Sequence, residues 1–165
     1  YHYYNARIMN NTYPKDSGMT MREGCKAMFE YGYVPEYAWK WDKNKINEEP
    51  NQVAYWFNSL YKLDRYERVF RLEEIKQSLI DKVSVVFGLK LSDNYYNLDY
   101  VNCIYKPKGK YHGGHAQVIV GYDDELSHFI VENSWGESFG RKGRYYLPYE
   151  VYFKDGFDAW RIIIK

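Results

Sequence analysis

Two short motifs in the second half of the chain hold residue types that can move a proton. Gly113-Gly114-His115-Ala116 opens an apolar run from Gln117 to Val120, and Glu132-Asn133-Ser134-Trp135-Gly136 ends the alternating run that follows. Paired as a hairpin, the two runs bring His115 and Asn133 to the same end. The carboxamide oxygen of Asn133 then accepts a hydrogen bond from one ring nitrogen of His115. That bond fixes the tautomer and aims the other nitrogen at a nucleophile. Trp135 is placed to cover the pair and exclude water, which strengthens the hydrogen bond and protects an ion pair. On spacing alone, the commoner reading of a histidine after two glycines is a loop or packing residue. For an asparagine before Ser-Trp-Gly it is a turn former.

A nucleophile for that imidazole is harder to find. Cys25 shares a helical apolar face with Met21, Met28 and Phe29 and reads as a small buried hydrophobe. Cys103 reads the same way, although the two cysteines would in principle suffice for one disulfide. His112 lies three residues before His115, but no carboxylate or cysteine cluster joins them at ligand spacing, so no metal site is expected. His2, His112 and His128 read as solvated or packed, and Lys106, Lys108 and Lys110 as a solvated loop.

The elements that must position these groups follow from periodicity. Residues 1–9 are aromatic-rich and either end a helix or enter a strand, and the turn formers of NNTYPKDSG read as an exposed loop. Thr20 with Glu23 has capping-box spacing and opens a helix over about 20–31 that stops at Gly32. Residues 33–52 read as an irregular connection, with a further helix near 51–61. Leu72, Ile75, Leu79 and Ile80 line one face of a helix over 72–81. The period then changes: strands are expected over 83–91, 116–122, 127–132, 143–147 and 159–164. Helices first and antiparallel strands second make an α+β order.

Composition narrows the function classes. A net charge of +1 gives no global drive toward nucleic acid or an anionic membrane surface. No apolar run approaches the roughly 20 residues that span a bilayer. The 20 tyrosines and 5 tryptophans supply large rings whose polar tips need partners or water. No compartment follows from two cysteines.

The runs GGHAQVIVGYDD, FIVENSWGESFG, KGRYYLPYEV and DAWRI resemble the C-terminal half of papain-like cysteine peptidases, nearest to their compact bacterial and viral-type branch. DSGMTMREGCKAMFEYGYVPEYAWKWD and EEIKQSLIDKVSVVFGLKL extend the resemblance over nearly the whole chain. It implies a two-lobe α+β fold in one domain over 1–165. A helical left lobe would fill about 1–80 and an antiparallel, barrel-like right lobe about 81–165, with the active cleft between them. It also implies peptide-bond hydrolysis by a cysteine–histidine–asparagine mechanism without a cofactor. In that mechanism His115 is the general base, Asn133 its orienting partner, Trp135 the shield and Gly114 a supporting residue, while the backbone of Ser17 and Gly18 pairs with an extended peptide or protein substrate. Phe139 stands where the family has tryptophan, and the residues Lys15 and Asp16 imply that a disulfide of plant and animal relatives is absent.

The family's nucleophilic cysteine lies on a helix, preceded by an oxyanion-hole glutamine, and no such run occurs here. The chain is therefore expected to begin just after that helix. Its left lobe would then be incomplete, the upstream segment would be a partner, and this chain alone would be inactive. Two alternatives stay open: a pseudoenzyme or binding module on the same fold, and an acyltransferase that passes the thioester to an amine.

Overall fold

The computed structural model describes Tyr1–Ile164. The chain divides into two compact units, one of residues 1–66 with the chain end from Ile162, the other Glu67–Arg161.

In the first unit, α1 (His2–Met9), α2 (Met21–Tyr31) and α3 (Gln52–Asn58) are joined by loops. The aromatic-rich start is thus a helix. Thr20 caps α2 with a complete capping box: its hydroxyl accepts from the Glu23 N–H, and the Glu23 carboxylate accepts from the Thr20 N–H at 2.6 Å. Gly32 ends α2 at φ +71, a left-handed conformation that favours glycine. A β-carbon there would also stand 2.4 Å from the Asn58 carbonyl oxygen. Cys25 and Ala27 are the buried residues of α2, whereas Phe29 is 42% exposed, so the apolar face is narrower than its sequence spacing indicates.

Periodicity does not reveal what organises this unit. Arg7 of α1 is fully buried. Its guanidinium donates to the carbonyls of Pro14, Lys15 and Ile46 and to Asn47 Oδ1, and lies 4.3 Å from the Tyr3 ring centroid. One cation thereby holds the 14–15 loop and the 46–47 segment to α1.

The strands form one sheet in the order β1-β6-β2-β3-β4-β5. They are β1 (Leu63–Arg68), β2 (Val85–Ser92), β3 (Tyr111–Asp123), β4 (His128–Glu132), β5 (Arg144–Pro148) and β6 (Gly156–Ile164). The β2–β3, β2–β6, β3–β4 and β4–β5 pairs are antiparallel. Helix α4 (Leu72–Ile80) belongs to the second unit and buries Ile75 and Ser78. Ile80 is 60% exposed, because it lies at the margin of the arc shared by Leu72, Ile75 and Leu79. Glu74 accepts from the N–H groups of Phe70 and Arg71, which caps α4 and holds its own carboxyl below the usual range. Short helix α5 (Tyr149–Asp155) and strand β1 have no counterpart among the sequence expectations.

The core of the second unit collects Phe87, Leu89, Ile119, Phe129, Val131, Tyr145 and Leu147, all at 1% exposure or less. Strand β3 starts at Tyr111, five residues before the expected start at 116, because Gly113 and Gly114 pair with Leu91 and Lys90 of β2. Backbone pairing overrides the low strand preference of glycine there.

Candidate active site

The hairpin places the two motif residues. Val118 pairs with Glu132, so Asn133, the residue after β4, comes level with Gln117, two residues along β3 from His115. His115 pairs with the buried Leu89 and shares its sheet face with Gln117, which points the imidazole toward the core side. The result is a hydrogen bond of 2.8 Å between His115 Nε2 and Asn133 Oδ1.

The direction of that bond is set by a third group. The Ser134 N–H donates to the same Oδ1 at 2.8 Å. A backbone N–H can only donate, so the oxygen of the carboxamide must be the atom facing it. His115 Nε2 is then the donor. In the neutral ring Nδ1 carries the lone pair. Asn133 is 7% exposed, and its own N–H donates to the Gly143 carbonyl at 2.9 Å, which anchors the backbone behind the carboxamide.

Aromatic rings surround the pair. Trp135 stacks on His115 with centroids 4.9 Å apart and 29° between the planes. Tyr96 stacks on Trp135 at 5.6 Å, and Phe139 meets Trp135 edge-on at 5.3 Å. Tyr95 is fully buried and touches His115, Trp135, Phe139, Tyr105 and Tyr145. Its hydroxyl donates to Gln117 Oε1, and burial pushes its own ionisation above the usual tyrosine range. Tyr95 and Tyr96 come from the short 3-10 turn Asp93–Asn97, which sequence reasoning did not assign to the site. Their only signal is two adjacent tyrosines among 20 in the chain.

The remaining named residues fall as follows. Gly114 is packed against the ring of Phe157. Ser17 and Gly18 are exposed in the first unit, where Gly18 adopts φ +71 and donates its N–H to the Tyr3 hydroxyl at 3.0 Å. A β-carbon at Gly18 would meet nothing within 4 Å, so its outer side is open. Cys25 and Cys103 are buried thiols at 3% and 7% exposure, in different units. His112 is exposed and contacts the Asp93 carboxylate, which it helps hold below the usual range. Burial lowers the ionisation of His128 and takes His2 down to about 4. Among the described residues no group of three or more His, Cys, Asp or Glu is placed to hold a metal ion.

Residues 12–152 match the family described as papain family cysteine protease. The chain belongs to the papain family. It is 32% identical over 161 residues to an uncharacterized peptidase C1-like protein of Acanthamoeba polyphaga mimivirus, with 90% of this chain and 52% of that protein covered. It thus spans about half the length of that relative. A cathepsin B-like cysteine proteinase 3 of Ostertagia ostertagi is 26% identical over 143 residues, covering 78% of this chain and 81% of that one. Among solved structures, xylellain, a cysteine protease from Xylella fastidiosa, superimposes with a TM-score of 0.84 at 29% identity over 98% of this chain and 68% of its own. The α+β papain-like fold and the bacterial and viral character of the resemblance agree with these relatives.

Proposed function

We propose that His115 and Asn133 are the acid–base half of a cysteine peptidase, with the thiolate supplied by a residue outside this sequence. The reading rests on one observation, the His115–Asn133 hydrogen bond whose direction the Ser134 N–H fixes. With Nε2 committed to Asn133, Nδ1 takes the thiol proton, and the thiolate attacks the scissile carbonyl to give a tetrahedral intermediate and then a thioester. Imidazolium returns the proton to the leaving amine, and water hydrolyses the thioester with the same nitrogen as base. Trp135 limits water at the hydrogen bond. The open backbone edge at Ser17 and Gly18 is suited to an extended substrate, because glycine allows close approach.

The burial of both cysteines supports an external nucleophile, since reactive thiols are partly exposed and sit in electropositive surroundings. The length of the mimivirus relative leaves room for one.

The test is a mixed-peptide assay of the complete gene product and of the 165-residue chain, each with and without a thiol-alkylating reagent. The complete product is expected to cleave, to lose activity on alkylation, and to lose at least about 100-fold of kcat/KM in His115→Ala. The 165-residue chain is expected to cleave nothing. Alkylation-sensitive cleavage by the chain alone would put the nucleophile at Cys25 or Cys103. A folded complete product that cleaves no peptide would favour a binding module.

A further inference from the structure

We infer that Phe157 is a positioning residue for His115, its ring pressed across Gly88 and Gly114 so that it fixes the backbone that carries the imidazole. The inference rests on the acid–base reading of His115 given above. A β-carbon built on Gly88 would stand 2.4 Å from Phe157 Cε2, and one built on Gly114 would stand 2.7 Å from its Cζ. One ring on β6 therefore occupies the side-chain space of two residues on two neighbouring strands. Phe157 pairs with Gly88, Gly88 with Ala116, and Lys90 with Gly114, so Gly114 and Ala116 share the face the ring covers. His115 lies between them and projects from the opposite face, with Leu89.

Tyr111 donates to the Asp155 carboxylate and His112 contacts Asp93, but between them and His115 lie two glycines with no side chains to hold the strand. Gly113 sits at φ +134, where no other residue is at ease, and nothing lies within 4 Å of its β-carbon position. The β2–β3 register also shifts between Leu91 and Ser92, just before this stretch. Backbone hydrogen bonds set the strand along its length, and the Phe157 ring sets its rotation at Gly114. A rotation there swings the imidazole off Asn133, 2.8 Å away. Phe157 itself is 44% exposed, so one face of the ring is in use and the rest is not buried in the core.

The test compares wild type with Phe157→Ala, Phe157→Leu, Gly114→Ala and the Phe157→Ala/Gly114→Ala double variant. Hydrogen exchange of the His115 Nε2–H is read by NMR on the 165-residue chain, beside the melting temperature and the amide protection of β4 and β5. Phe157→Ala and Gly114→Ala are each expected to speed imidazole exchange about tenfold or more, with β4 and β5 protection unchanged. The double variant is expected to return to within about threefold of wild type, because the new methyl fills the space the ring leaves. Leucine fills its own position but lacks the reach to Gly114, so Phe157→Leu is expected to speed exchange as well and carries the test if Phe157→Ala does not fold. Exchange within about twofold of wild type in the folded Phe157 variants, or additive effects in the double variant, would overturn the inference. The readout needs no turnover, so a silent peptidase assay bears on the proposed function and not on Phe157.

Discussion

Asn133 Oδ1 accepts two hydrogen bonds, one from the Ser134 N–H and one from His115 Nε2, and the first decides what the second can be. The chemistry at this scale is the location of one proton. Trp135 stacks on the ring that bears it and touches Tyr95, Tyr96 and Phe139. Trp135→Ala is expected to speed exchange of the His115 N–H about tenfold or more and to lower stability by about 2 kcal/mol. That is less than full loss of a buried tryptophan, because the side chain is partly exposed. Exchange by NMR and a urea titration check both parts. That His115, Asn133 and Trp135 come together was legible in the sequence from the pairing of the two motif-bearing runs and from the family resemblance. Tyr95 and Arg7 were not. A tyrosine among many tyrosines has no periodic signature, and a buried arginine satisfied by carbonyl oxygens is not announced by an acidic residue at pairing distance along the sequence.

Elements were legible where local chemistry is strong. The capping box at Thr20 and Glu23 and the stop at Gly32 bound α2 within one residue of expectation. Thr20→Ala removes the acceptor for the Glu23 N–H and is expected to cost about 1 kcal/mol, measured by chemical denaturation; Thr20→Ser should cost a few tenths at most. Where tertiary pairing sets the element, the sequence was silent. Strand β1 reads LDRYER, with four charged residues and only Leu63 buried, a pattern that neither strand nor helix period favours. Helix α5 is seven residues long and begins after Pro148, too short for periodicity to separate it from the strands on either side. The early start of β3 at Tyr111 depends on its partner strand and not on the residues Gly113 and Gly114 themselves.

At the scale of the whole molecule, tyrosine burial ties stability to alkaline pH. Tyr152 is 5% exposed in the core of the second unit, and burial pushes its phenol up to about 12 from an ordinary value of 10. A group whose pKa is raised by folding contributes stability fully below the unfolded value and loses it as pH rises through the folded one. The window here is pH 10 to about 12. Two units correspond to about 3 kcal/mol by the linkage relation. Tyr152→Phe is expected to leave stability at neutral pH nearly unchanged and to move the midpoint of alkaline unfolding upward, read by near-ultraviolet circular dichroism. Tyr95 and Tyr145 are pushed upward by burial as well, so the variant retains part of the alkaline transition.

Asn133 holds His115 with its proton on Nε2 and its lone pair on Nδ1. Nitrogen-15 NMR of the neutral imidazole ring, reached by a pH series, measures this directly. A protonated Nε2 coupled to a slowly exchanging hydrogen and an unprotonated Nδ1 are expected, with both features lost in Asn133→Ala. A ring protonated on Nδ1, or one averaging rapidly between the two tautomers in the wild-type chain, would contradict it.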